Sequence, residues 1–234
     1  QKGNEMDKVL VVSKHAMDTY KNTVAQARNQ QTGKSVPYAI NTPIEVVHET
    51  TPRANPEPIP GLELEYDFNF LTISQISSRK NLENTIRWWV EEFVDQEVGL
   101  VVKASMISNC MIDMEYTEKF VGNILSKYPD RKCKVYLLHG DLTAGQMTWL
   151  YRHDKIKALV NISHGEGFGL PMFEAAREGM PIVTVGWSGQ MDFLNHDGKD
   201  YFESVEYTIQ PVQQGAVWDG VIEKDSMWCV PRQG

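Results

Sequence analysis

From residue 68 to residue 185 the chain alternates short apolar runs with amphipathic stretches, and this pattern restricts the fold more than any other feature of the sequence. Residues 68–74 (FNFLTIS), 100–103 around Val101 and Val102, 134–138, 157–162 (KALVNI) and 182–185 (IVTV) have the length and apolar content of buried strands. Between the first two runs, residues 81–95 carry Leu82, Ile86, Trp89, Val90, Phe93 and Val94 as one stripe at helical spacing, with Asn81 in position to cap them. Residues 115–128 turn Phe120, Val121, Ile124 and Leu125 to one side, and residues 143–152 read as a further helix. Such alternation over short connections predicts an α/β fold, a Rossmann-like parallel sheet with helices on both faces. Ligands of such sheets bind outside the carboxyl ends of the strands.

One of these strand-to-helix junctions is chemically distinctive. Residues 164–181 (HGEGFGLPMFEAAREGMP) combine a glycine-rich loop, a proline suited to the first helical position and a Gly179/Pro181 stop, which predicts a helix of about two to three turns starting at Pro171. Glu166 then lies in the loop and Glu174 in the first helical turn. The backbone N–H groups of Gly167, Phe168, Gly169 and Leu170 are free to point at a ligand, and the helix dipole favours negative charge there. A phosphate fits. Two carboxylates beside it suit neutral hydroxyls, because a carboxylate only accepts hydrogen bonds and can take a vicinal diol. Phosphate and diols together suggest a sugar nucleotide.

The segment EGFGLP, two further residues and then Glu174 resembles, without a gap, the E-x7-E motif of retaining glycosyltransferases with the GT-B fold, in particular family four. The likeness covers roughly residues 8–230, is densest over 157–194 and is weak at both ends. It implies that residues 66–234 are a nucleotide-sugar donor-binding domain, the carboxyl-terminal half of a GT-B fold. Residues 1–50 would be a short remnant of the amino-terminal, acceptor-side domain, and residues 51–65 a linker. The remnant rests on residues 8–13 as a strand and residues 15–30 as a helix with Ala16, Tyr20, Val24 and Ala27 at helical spacing. Residues 33–41 break that pattern, and residues 44–48 form a short strand-like run. Residues 51–61 hold four of the chain's eleven prolines, as a semi-rigid connection does.

The resemblance assigns roles residue by residue. Glu166 is expected to contact the transferred sugar or the charge developing on its ring, and Glu174 to hold the ribose hydroxyls; neither is expected to act as a covalent nucleophile. Lys80, with Arg79 beside it, is expected to stabilise the diphosphate leaving group together with the loop N–H groups. The family's G-R-L-x-x-x-K-N passage matches at Lys80 and Asn81, but Gln75 stands where the arginine would be and Ser74 where the glycine would be. A glutamine carries no charge, so one phosphate contact is weakened unless another basic group compensates. HGDLTAGQM resembles the loop that lines the base, making Asp141 and Leu142 the expected base contacts, with His139 a core or loop residue. In GWSGQMDFL, Gly186 and Gly189 would let the backbone approach the ligand, Asp192 would cap or support a loop, and Ser188 lacks the G-x-S-x-G setting of a hydrolase nucleophile. SMWCVPRQG resembles the W-x-x-P passage that precedes a final helix in that family.

Charge and composition narrow the partners. A net charge of −8 argues against a nucleic-acid surface, which needs clustered Lys and Arg. Cys110, Cys133 and Cys229 form no C-x-x-C pair, so reduced, buried thiols are expected in place of a disulfide framework or zinc site. No apolar run reaches membrane-span length and the first ten residues do not read as a signal peptide, so a cytoplasmic protein is expected, with peripheral membrane association left open. The expected activity is hexosyl transfer with retention from a nucleoside-diphosphate sugar to an unidentified glycan, lipid or protein acceptor, without a metal or other cofactor; turnover would need an acceptor half that this chain mostly lacks. The alternatives are a sugar-nucleotide epimerase of GT-B type and a non-catalytic nucleotide-sugar-binding or interaction module.

Overall fold

A computed structural model describes residues 2–28 and 32–233. In chain order it contains β1 (Val9–Val11), α1 (Lys14–Asn22), β2 (Ala25–Arg28), β3 (Ser35–Tyr38), β4 (Ile44–Val46), β5 (Asn69–Gln75), α2 (Leu82–Glu92), β6 (Gly99–Ser105), α3 (Met111–Leu125), β7 (Lys134–Leu138), α4 (Ala144–Arg152), β8 (Ile156–Asn161), α5 (Leu170–Arg177), β9 (Ile182–Val185), α6 (Met191–Leu194), β10 (Asn195–His196), β11 (Lys199–Asp200), β12 (Glu203–Val205), β13 (Tyr207–Pro211) and β14 (Met227–Pro231). Two short 3-10 turns accompany them, at Lys2–Glu5 and Gln214–Ala216.

The expected α/β architecture is present. Six strands form one sheet in the order β12-β9-β8-β5-β6-β7, and every neighbouring pair is parallel. The order reverses at β5: β6 and β7 extend one way and β8, β9 and β12 the other. This creates a crevice at the carboxyl ends of β5 and β8, where ligands of doubly wound sheets sit. Both faces are covered. Leu100 and Val102 of β6 point into a cluster with Leu82, Ile86, Trp89, Val90, Val121 and Ile124 from α2 and α3. Val101, between them, joins Leu71, Leu150, Leu159, Met172 and Ile182 on the α4 and α5 side. The period-2 alternation within a continuously apolar run sends successive side chains into different cores. Each fully buried Leu or Ile contributes about 1.5–3 kcal/mol.

Element boundaries depart from expectation at informative places. The helix expected over residues 15–30 ends at Asn22, and β2 and β3 form an antiparallel hairpin; Gln30 lies outside the described residues. Its stripe is not buried: α1 has no buried residue, and Tyr20 and Val24 are exposed. The β-branched Thr23 instead closes the helix, with both its N–H and its hydroxyl donating to the Thr19 carbonyl. Asn81 does not cap α2 with its side chain. It adopts a left-handed conformation (φ 55°), its amide donates to the Ile162 carbonyl at 3.0 Å, and its Oδ1 accepts from Asn84. α3 begins four residues before the expected start, at Met111.

Outside the main sheet, β1 and β4 pair in parallel and β13 and β14 pair antiparallel. The proline-rich stretch lies along the α/β body: the Glu57 N–H donates to Gly145, and Ile59, Leu62 and Leu64 join the core on the α4 side. Cys133 and Cys229 are buried, but Cys110 is exposed, against the expectation for it, because it sits in the loop before α3.

Candidate functional site

The β8-to-α5 loop emerges at the crevice. Gly169 takes φ 94°, a conformation glycine adopts without a Cβ penalty, and turns the chain into α5. The helix starts at Leu170, one residue before the expected Pro171, so Glu174 stands past the first turn and not within it. Among the described residues, no protein acceptor takes the N–H groups of Gly167, Phe168, Gly169 or Leu170. These donors open at the start of a helix, where the backbone dipole adds positive potential.

Glu166 is the electrostatic centre of the loop. Its side chain is only 6% exposed, and Lys80 Nζ reaches both carboxylate oxygens, at 2.7 and 2.8 Å. Arg79 Nη1 adds a contact at 3.2 Å and donates to the Gly165 carbonyl at 2.6 Å. A carboxylate this buried costs free energy unless paired, and the two cations that follow β5 provide the pairing. The His164 N–H donates to the Arg79 carbonyl, so the loops after β5 and β8 are joined through backbone as well as charge.

The turn after β9 braces the loop from the other side. The Glu166 N–H donates to Ser188 Oγ at 2.9 Å, Ser188 donates to Gln190 Oε1, Gln190 Nε2 donates to the Val185 carbonyl, and the Gly189 N–H returns to the Glu166 carbonyl. A Cβ on Gly189 would lie 1.9 Å from the Gly167 carbonyl oxygen. The expected close approach at Gly189 is therefore to the protein's own loop and not to a ligand. Gly186 has room against Phe202. Ser188, with φ 82°, is a buried strut and no nucleophile. Asp192 supports loops as expected, across a long span: its Oδ2 accepts from the Lys14 N–H and lies 2.8 Å from His48 Nε2, tying the first segment to the sheet.

Two cavities flank this centre. One of about 420 Å³ is lined by His15, Tyr20, Arg79, Glu166, Trp187 and Trp228 among others. Burial lowers the pKa of His15, opposed by Asp18 and Asp192, and burial likewise lowers that of His164. His164 Nδ1 lies 2.6 Å from the Cys229 carbonyl and its ring stacks on Trp228 at 4.0 Å, which seats β14 against the loop. The other cavity, about 220 Å³, lies at the carboxyl ends of β5 and β6 and is lined by Ser74, Gln75, Lys80, Lys103, Ser105 and Pro171 among others.

The structure thus gathers Glu166, Lys80, Arg79, Gln75 and the Gly167–Leu170 backbone, numbered 167–170, around the crevice. Other expected contacts stand apart. Glu174 lines neither cavity; its Oε2 accepts from Tyr151 at 2.8 Å. Burial first, then the Glu174 charge, pushes the Tyr151 phenol pKa up, so it donates as a neutral hydroxyl. Asp141 is exposed and accepts from Asn109 at 2.5 Å, while Leu142 packs on the core. His139 is nearly buried, 2.8 Å from Asp113, and belongs to the framework. The Phe168 ring also belongs to the core, against His48, Phe173 and Phe193. Lys103 was missed as a site residue, although a lysine interrupting an otherwise buried strand at its carboxyl end is a legible signal. The aromatic cavity was missed because His15, Trp187 and Trp228 are brought together from distant segments.

No protein-family model and no curated protein matches the chain. Solved structures do. Sucrose-phosphate synthase from Thermosynechococcus elongatus is similar at 16% identity and TM-score 0.57, over 82% of this chain and 44% of that one. A glycosyltransferase from Rickettsia africae gives 12% identity and TM-score 0.55, over 88% and 50%. An E. coli trehalose-6-phosphate protein bound with UDP-2-fluoro glucose gives 12% identity and TM-score 0.52, over 81% and 48%. The chain spans half the length or less of each of these proteins. No helix among the described residues is long and apolar enough to cross a membrane. By strand order, helix placement and these likenesses, the sheet domain has the Rossmann-like fold of one half of the GT-B glycosyltransferases.

Proposed function

We propose that this chain supplies the donor-binding half of a retaining, nucleotide-sugar-dependent hexosyltransferase of GT-B type, with residues 1–50 as the acceptor-side remnant and residues 51–65 as the linker. The observation that carries the reading is the row of unbonded N–H groups from Gly167 to Leu170 at the α5 start, beside a cavity that Lys80 lines. Two structural neighbours support a nucleotide-sugar ligand, since one is bound with UDP-2-fluoro glucose and a Staphylococcus aureus TarM mutant is in complex with UDP. In this reading the loop N–H groups and Lys80 stabilise the departing diphosphate, with Arg79 holding the loop to them. Glu166, held by two cations, contacts the transferred sugar and tempers charge on its ring. Glu174 takes the ribose hydroxyls; its Oε1 accepts from no protein donor among the described residues. Asp141 and Leu142 line the base, no metal takes part, and the acceptor is a glycan, lipid or protein hydroxyl.

The test is a thermal-shift screen with UDP-, GDP- and ADP-sugars, in which a ligand at 100 times its Kd stabilises the protein by about 2.7 kcal/mol. Absence of any shift overturns the reading. With the responding nucleoside diphosphate, Glu174→Ala is expected to weaken binding by about 1.5–3 kcal/mol in calorimetry. Unchanged affinity removes Glu174 from the site.

A further inference from the structure

Lys103 sits two residues from the carboxyl end of β6, paired with Ile73 of β5, in a strand otherwise deeply buried up to that point. Its side chain is half-buried, and burial lowers its pKa, opposed by the charge of Asp141. Among the described residues no carboxylate lies within salt-bridge distance of it. That sets it apart from its neighbours at the crevice. Lys80 and Arg79 share the single negative charge of Glu166, and Arg79 also donates to the Gly165 carbonyl, so that cluster is left with one positive charge. Gln75, on the same cavity wall, has no charge to offer.

We propose that Lys103 is a further cation, without a salt-bridge partner, of an anion cradle for a diphosphate, occupying electrostatically the place that Gln75 leaves neutral; the identification of the anion rests on the proposed donor site. Lys103 and Lys80 line the 220 Å³ cavity together with Ser74, Gln75 and Ser105 from the ends of β5 and β6, and Pro171 of the first turn of α5 closes it. A partly desolvated ammonium without a partner is unfavourable in the empty site and gains a charge-assisted hydrogen bond when an anion enters. The ammonium is a compact point charge with three donors, suited to oxygens of two linked phosphates without a fixed bidentate plane. Lys80, which also holds Glu166, keeps its place at the diphosphate, and Lys103 adds a further positive charge from β6.

The experiment is calorimetric titration of the full chain and of Lys103→Met and Lys103→Arg with UDP, GDP and ADP, the corresponding nucleosides, and inorganic pyrophosphate. Lys103→Met is expected to weaken the bound nucleoside diphosphate and pyrophosphate by about tenfold to a hundredfold, with nucleoside affinity unchanged, and Lys103→Arg to recover most of the loss. Equal affinity of the wild type and Lys103→Met for both anions overturns the proposal, as does an equal loss for the nucleoside. Failure of the wild type to bind any nucleoside diphosphate overturns the donor-site reading, while Lys103-dependent pyrophosphate binding would still uphold the cradle. Binding of neither overturns both.

Discussion

Two loops leave the same edge of the sheet, each organised by one buried acidic residue, and they use it in opposite ways. In the β6-to-α3 loop, the Asp113 carboxylate accepts from the N–H groups of Met106, Ile107 and Ser108 and lies 2.8 Å from His139. In the β8-to-α5 loop, the Glu166 carboxylate takes side-chain cations, while the N–H groups of Gly167 to Leu170 meet no protein acceptor among the described residues. The first loop satisfies its donors from within and is closed. The second holds its shape through Lys80, Arg79 and Ser188 and leaves its donors open. A carboxylate that consumes backbone donors makes a framework; one restrained by external cations leaves a place for an anion.

Asp113→Ala gives the strongest test of the closed loop, because it strips the acceptor from three N–H groups and the partner from His139. The urea midpoint should fall further than for any other substitution named here, and an unchanged midpoint breaks the contrast. The same carboxylate sets a pH dependence. Burial opposes ionisation, but hydrogen bonds from Ser108, His139, Met106 and Ile107 prevail and hold its pKa well below the ordinary carboxylate range. Its contribution is therefore complete above the unfolded value of about 3.9 and is lost as pH falls through the lower folded pKa. Asp113→Asn should flatten the loss of stability below about pH 4, measured by denaturation at several pH values.

For the open loop, Gly189→Ala forces a methyl group onto the Gly167 carbonyl and should cost about 3 kcal/mol in denaturant unfolding, since backbone must move. Ser188→Ala removes the strut under the Glu166 N–H and should cost about 1–2 kcal/mol; Ser188→Gly, which relieves the positive φ, should be about 1 kcal/mol more stable than Ser188→Ala. The reverse order would show that the turn is not strained. Tyr151→Phe should have the smallest effect, about 1 kcal/mol in the same assay, because Glu174 is partly exposed and water replaces the lost donor. A much larger cost would move Glu174 from the open class to the framework.

The sheet was legible because a strand buried on both faces must be apolar throughout: β5, β6, β7, β8 and β9 each follow their sequence runs closely. The Gly169 and Pro171 signals likewise fix α5 to within a residue. What could not be read were partners supplied by distant segments. Nothing local shows that Asn81 turns from α2 to the Ile162 carbonyl, that Gly189 meets Gly167, or that Lys80 pairs with Glu166. The amino-terminal helix was overextended for the converse reason, since helical spacing at Ala16, Tyr20, Val24 and Ala27 has force only where another element covers the stripe.

The strand order also governs when the site comes into being as the chain folds. β5 meets β6 after a short connection, but it meets β8 only across most of the domain, and Lys80 and Glu166 lie 86 residues apart. Closing so long a loop costs more entropy than closing the shorter β5–β6 connection, by about 1 kcal/mol. The β5–β6–β7 half can assemble with Lys80 in place while the glycine loop has no counter-charge to settle on. The Lys80–Glu166 pair therefore forms only once the two halves of the sheet have docked, and a substitution that weakens the β5–β8 pairing should loosen the site along with the sheet.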